Sequence, residues 1–278
     1  MRILISNDDG VHAPGIEALA AEFSRDHQVV VVAPERERST TGHSLTLHKP
    51  LRLYRHAKNK FAVSGGPADC IYVALSEVLK GKRPDLVLSG INRGANLGQD
   101  VFYSGTASAA REAANLGIPS VAVSLALDFF SKPKRGERYE VAAKCLRKVI
   151  DQSLAAYAGD GLATKRATRA AVERAGLKKW PSGMMLNVNV PNLPLNKIKG
   201  IRAAKQGKRI YGSQVLKRSD GRGRDYFWLG GTLEGYAPIP ESDCWYVDHG
   251  YVAVAPLELD TTFTAVYDQM KGIWGEKV

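Results

Sequence analysis

Short apolar runs, each followed by a stretch of helical spacing, recur through the first two thirds of the chain, and this alternation constrains the fold more than any other feature. Ile3 to Ile5, Val29 to Val32, Leu86 to Leu88, Val121 to Val123 and Met185 to Val190 are short and rich in β-branched or large residues, as expected of strands buried on both faces. Pro14 to Arg25, Pro67 to Lys80, Thr106 to Leu116 and Tyr139 to Tyr157 have helical spacing. Pro14 and Pro67 stand where a first helical turn tolerates proline, and Gly81 and Gly117 stand where helices stop. Strand following helix in this way predicts an α/β fold, a Rossmann-like and mostly parallel sheet with helices on both faces.

Two regions break the pattern. Ser44 to Arg55 alternates in polarity with period two and predicts an exposed hairpin, at about 44–55. After Pro194 the chain turns rich in glycine, aromatic and charged residues, with strand-like pieces and no helix until about Thr261. The expected division is therefore an α/β catalytic domain over 1–194 and a β-rich C-terminal arm over 195–278. Tyr226, Phe227 and Trp228 in that arm suit a subunit interface if they are exposed.

The 278 residues, 44% hydrophobic, suffice for a full core. No apolar stretch reaches the roughly 18 residues that cross a bilayer, and none resembles a signal peptide. Cys70, Cys145 and Cys244 are odd in number and far apart, so neither a disulfide framework nor a zinc site is indicated. A cytoplasmic protein without membrane partners is the expectation. The net charge of +11 favours anionic partners, from nucleic acid to phosphorylated metabolites. Much of it lies in Thr164 to Trp180 and Lys217 to Asp225, which also read as a solvated helix face and a loop, since neither interleaves aromatics with its charges.

In an open parallel sheet, ligands bind beyond the carboxyl ends of the strands. The first strand ends in "SNDDG", the second runs into "APERERSTTGHS", and the strand starting near Asp85 ends in "SGINRGANLGQD". These loops open on one edge, so Asp8 and Asp9 can meet Ser39 and Asn92. An isolated Asn-Asp-Asp-Gly is also an ordinary turn. Two carboxylates, a hydroxyl and an amide carbonyl form an all-oxygen set suited to Mg²⁺ or Mn²⁺, with Ca²⁺ as a further candidate, and unsuited to zinc. A cation there offsets the repulsion of adjacent carboxylates and lets a phosphate approach. Ser104, Gly105 and Thr106 open a helix, where backbone N–H groups favour a phosphate, although Ser or Thr at that place also serves as a plain cap. His43 lies in the second loop with a substrate-side or proton-transfer option. P-loop, dinucleotide, zincin and serine-esterase signatures are missing.

The segments "RILISNDDGVHAPGI", "VVAPERERSTTGHSLTLHKPL", "GGPADCIYVAL", "PDLVLSGINRGANLGQDVFYSGTASAAREAANLGIPSVAVS" and "LNVNVP" resemble, in order, the survival protein E (SurE) family of 5′-nucleotidases, and "GYVAVAPLELDTT" resembles its closing strand. The resemblance implies that Asp8, Asp9, Ser39 and Asn92 bind one divalent metal, with Asp8 and Asp9 catalytic. It also implies that Asn96 and Ser104 to Thr106 line a phosphate pocket, that nucleoside monophosphates are dephosphorylated, and that dimers or tetramers form through the C-terminal arm. A basic helical stretch at about 158–181 is longer than the usual connection and reads as an insertion. Two rival readings follow from the residues: a nucleic-acid binder using the basic stretch and the Gly-Arg loop, and a nucleotide sensor without turnover. The paired carboxylates favour the hydrolase, because a nucleic-acid binder has no use for them there.

Overall fold

Ile3, Leu4 and Ile5 have no solvent exposure and form the heart of strand β1 (Arg2–Ser6), from which the sheet grows on both sides. The computed structural model describes residues 1–39, 42–127, 136–159, 168–212, 215–229 and 232–274. The remaining strands are β2 (Gln28–Pro34), β3 (Leu53–Ala57), β4 (Lys60–Val63), β5 (Leu86–Arg93), β6 (Ser120–Ala126) and β7 (Met184–Pro191). Beyond these lie β8 (Ile201–Ala203), β9 (Arg209–Tyr211), β10 (Val215–Ser219), β11 (Asp225–Leu229), β12 (Leu233–Tyr236) and β13 (Val252–Glu258). The main sheet has the order β3-β4-β2-β1-β5-β6-β7-β13-β8. From β4 through β7 every pairing is parallel, while β3 runs against β4 and β13 against β7.

Seven helices are described: α1 (Pro14–Phe23), α2 (Pro67–Val73), α3 (Gly105–Asn115), α4 (Tyr139–Ala158), α5 (Arg169–Lys178), α6 (Asp243–Asp248) and α7 (Thr264–Ile273). Side chains alternate across a strand, so β1 serves two cores. Ile3 and Ile5 join Ile16, Leu19 and Phe23 of α1 and Leu146, Val149 and Ile150 of α4 on one face. Leu4 joins Cys70 and Ile71 of α2 and Ala109 and Ala113 of α3 on the other. The expected α/β sheet with helices on both faces is what the chain adopts.

The differences are local. The hairpin expected at about 44–55 is displaced to β3 and β4, and residues 44–52 form no strand. Thr46 explains this: its N–H and hydroxyl donate to Asp69 of α2, at 2.9 and 2.7 Å, rather than across a ladder. The helix starting at Pro67 continues past Val73 as a wider turn over Ala74–Val78. The six-residue α6 was not anticipated. Two strands from beyond residue 194, β8 and β13, extend the main sheet, whereas β10 and β11 pair only with each other and are exposed throughout. Tyr226, Phe227 and Trp228 are all exposed on β11. In the basic stretch at about 158–181, residues 160–167 lie outside the described residues; α5 follows them, and its Arg169 pairs with Asp26, Asp151 and Glu173.

Candidate metal and phosphate site

The carboxyl end of β1 is shaped by Asn7 and Gly10. The Asn7 side chain donates to the Gly10 carbonyl (2.9 Å) and accepts from the Gly10 N–H (3.2 Å), closing a turn in which Gly10 takes φ +105°, a conformation that favours glycine. The ordinary turn is therefore real, and it is built by the flanking residues. Asp8 and Asp9 are left to project beyond the sheet edge.

Asp8 is 4% exposed. The Thr106 hydroxyl donates to its Oδ1, and Arg38 N–H donates to its backbone carbonyl at 2.7 Å. Helix α3 begins against this carboxylate, so closely that a Cβ on Gly105 would lie 2.7 Å from the Asp8 Cβ. Burial, reinforced by the charge of Asp9 and opposed by the hydrogen bonds from Thr106, pushes the Asp8 pKa up to about 6. Asp9 is half-buried, and its Oδ2 accepts from the Arg93 N–H at 3.1 Å. Burial raises its pKa as well, with Glu37 and Glu137 adding to the effect and Arg93 opposing it.

The other two expected ligands are prepared differently. The β5–β6 register shifts between Ser89 and Asn92, a bulge of the kind that re-aims a side chain at a strand end. The Asn92 amide nitrogen donates to the Gly94 carbonyl at 2.8 Å, which turns Oδ1 into the atom offered to a ligand. Ser39 is exposed, and its hydroxyl donates to Glu37 at 2.6 Å, leaving oxygen lone pairs available.

Asp8, Ser39, Asn92, Asn96 and Ser104 share one cavity of about 560 Å³, together with Arg93, Gln99, Asp100, Tyr103 and Tyr211. That volume is in the range of small-molecule sites. Asp9, Gly105, Thr106 and His43 do not line it. Thr106 reaches the site through Asp8, and Gly105 by making room for Asp8. His43 instead sits against Glu112 of α3, Nε2 to Oε2 2.6 Å. Ser104 caps α3, its hydroxyl oxygen accepting from the Ala107 N–H at 3.0 Å, so the cap is present at the cavity wall. Asn96 is fixed by β7: its N–H donates to Asn189 Oδ1, while Asn187 and Asn189 donate to its carbonyl.

Sequence reasoning missed Asp100, Tyr103 and Tyr211. Tyr211 belongs to β9 in the arm, and its hydroxyl donates to the Asp100 carboxylate, which also pairs with Arg209. No local signal links residues 111 positions apart. A narrower cavity of about 120 Å³ beside Leu97, Leu193, Leu233 and Val247 holds none of the expected ligands.

Fold and site together define an α/β protein with an acidic, oxygen-lined cavity at the carboxyl ends of its parallel strands. A model of the family described as Survival protein SurE matches residues 3–213, and the chain belongs to that family. It is 44% identical over 275 residues to the protein named 5′-nucleotidase SurE of Anaeromyxobacter sp. (strain Fw109-5), covering 98% of this chain and 95% of that one. It is 45% identical over 262 residues to the protein of the same name from Geotalea daltonii (strain DSM 22248 / JCM 15807 / FRC-32), covering 94% of each. Among solved structures, that of the SurE protein from Aquifex aeolicus superposes with a TM-score of 0.79 at 37% identity, covering 98% of this chain and 99% of the other.

Proposed function

We propose that this protein is a 5′-nucleotidase that hydrolyses nucleoside 5′-monophosphates to nucleoside and phosphate with the aid of one divalent cation, Mg²⁺ or Mn²⁺. The observation that carries the reading is the burial of Asp8 at the wall of the 560 Å³ cavity, beside the oxygens of Ser39 and Asn92. A carboxylate pair that burial drives toward protonation is stabilised by a hard cation, and the donor set fits one. Asp8, Asp9, Ser39 and Asn92 are the residues that would hold it. When bound, such an ion supplies charge that neutralises phosphoryl oxygens and acidifies a nearby water.

The chain's own residues do the rest. Thr106 and the α3 N-terminus hold Asp8 in place; the turn made by Asn7 and Gly10 holds the Asp8–Asp9 pair at the sheet edge. Ser104 at the cavity wall, with Asn96 and the backbone near Gly105, receives the phosphate oxygens, where the helix dipole favours negative charge. Uncatalysed monoester hydrolysis is so slow that roughly 20 kcal/mol of barrier must be removed, and positioned charge is the means that supplies most of it. In this reading residues 1–194 carry the chemistry. The exposed apolar side chains of β10, β11 and α7 in the arm join subunits into a dimer or tetramer. A cytoplasmic location agrees with three buried free cysteines. In the basic segments Arg169, Lys217 and Arg224 are in ion pairs within the chain, and the carboxylate pair favours the hydrolase over a nucleic-acid binder.

The test is phosphate release from AMP and GMP with Mn²⁺ or Mg²⁺, repeated after chelation and with Asp8→Asn. A loss of about 100-fold or more is expected in both cases. Undiminished release overturns the proposal.

A further inference from the structure

The nucleotidase reading leaves part of the cavity lining without a role. Thr106 touches Asp8, Ser104 caps the same helix, Tyr103 precedes it, and a 3₁₀ turn over Gly98–Phe102 then brings Asp100, to which the arm attaches Tyr211. Tyr103 and Tyr211 are the aromatic residues of the cavity lining.

The polar groups beside Tyr211 are already spent. The Gln99 amide donates to the Arg209 carbonyl and accepts from the Arg209 N–H, both at 2.8 Å. Asp100 takes Arg209 and the Tyr211 hydroxyl. What remains to meet a ligand is the ring surface of Tyr103, 68% exposed, and of Tyr211, 42% exposed. The Arg209 guanidinium lies 5.5 Å from the centre of the Tyr211 ring, and Arg209 is not among the residues that line the cavity. The latch from Asp100 to Tyr211 and Arg209, with the Gln99 pair, holds the arm's ring in position, which lowers the ordering cost of stacking a planar ligand on it.

We infer that Tyr103 and Tyr211 are the nucleobase walls of the cavity: the base of a bound nucleoside monophosphate stacks on them while its phosphate lies toward Asp8 and Ser104. Asp100 is a positioning residue for Tyr211. The inference rests on the proposed nucleotidase reading, and it makes the arm part of the substrate site. Base-on-aromatic stacking is worth about tenfold or more in binding.

The test compares kcat/KM for AMP with that for ribose 5-phosphate, the same ester without a base, in wild type, Tyr103→Ala, Tyr211→Ala and Tyr211→Phe. The AMP to ribose 5-phosphate ratio is expected to fall about tenfold or more in each alanine variant, chiefly through KM for AMP, and to fall less in Tyr211→Phe, which keeps the ring but loses its hydrogen bond to Asp100. Partial unfolding lowers both substrates alike and cancels in the ratio. If Tyr211→Ala does not fold, Tyr103→Ala, at a more exposed position, carries the test. A ratio unchanged in the alanine variants overturns the inference. If wild type hydrolyses neither ester, the nucleotidase reading fails, and calorimetric titration with AMP still reads the stacking. Binding weakened about tenfold by Tyr103→Ala supports it, and equal or absent binding overturns it.

Discussion

Gly105→Ala tests the site's construction at one atom. The added Cβ would stand 2.7 Å from the Asp8 Cβ and 2.8 Å from its Oδ2. Carbon atoms prefer about 3.5 Å or more, so the pair must separate by roughly 0.8 Å. Asp8 has little room to move, because Thr106 donates to its carboxylate and Arg38 to its carbonyl. Overpacking of this kind costs about 1–3 kcal/mol, and metal ligation tolerates only about 0.2 Å of ligand displacement. The expected outcome is a urea midpoint lowered by that stability loss, together with Mn²⁺ affinity reduced at least about tenfold in calorimetric titration of the folded protein. Gly221→Ala is the control, since a Cβ there meets nothing within 4 Å. A Gly105→Ala protein that binds Mn²⁺ like wild type would refute the reasoning that packing against α3 fixes Asp8.

Thr106→Val keeps the side chain's shape but removes the donor to buried Asp8, with an expected cost of about 1–3 kcal/mol in urea denaturation that Thr106→Ser largely restores. His27 sits buried near Asp26, Glu173, Arg147 and the N-terminus, and burial lowers its pKa below 6.5. Between the lowered folded pKa and 6.5 the unfolded chain binds more protons. Stability is therefore complete above about pH 6.5 and declines as the pH falls toward the folded value, by at most about 1.4 kcal/mol per pH unit for one proton. Urea midpoints measured from pH 7 to 5 should show this decline, and His27→Gln should flatten it. Phe227→Asp with Trp228→Asp places charge on the exposed β11 surface, and light scattering should then report a smaller assembly than wild type.

The parallel sheet was legible because each central strand carries its own apolar run, as Ile3 to Ile5 do, with no solvent exposure in the fold. The edge at which Asp8, Ser39 and Asn92 gather followed from the rule that loops at strand carboxyl ends share one side, and the cavity lining places these three together. Other features depend on distant partners. A threonine at a helix start reads as a cap or an anion site, and only the fold brings Thr106 to Asp8, 98 residues away. The period-two polarity of Ser44 to Arg55 misplaced the hairpin because Asp69, outside that window, captures Thr46. The helix α6 is too short to display a helical period, and it is held by the Ser242 cap, whose hydroxyl oxygen accepts from Trp245 N–H at 3.2 Å.

Anomalous diffraction from crystals grown with Mn²⁺ addresses the central claim most directly. The account expects one strong peak at roughly 2.0–2.6 Å from oxygens of Asp8, Asp9, Ser39 and Asn92, lost in Asp8→Asn. A peak bound elsewhere, or none at this edge of the sheet at millimolar Mn²⁺, would contradict it.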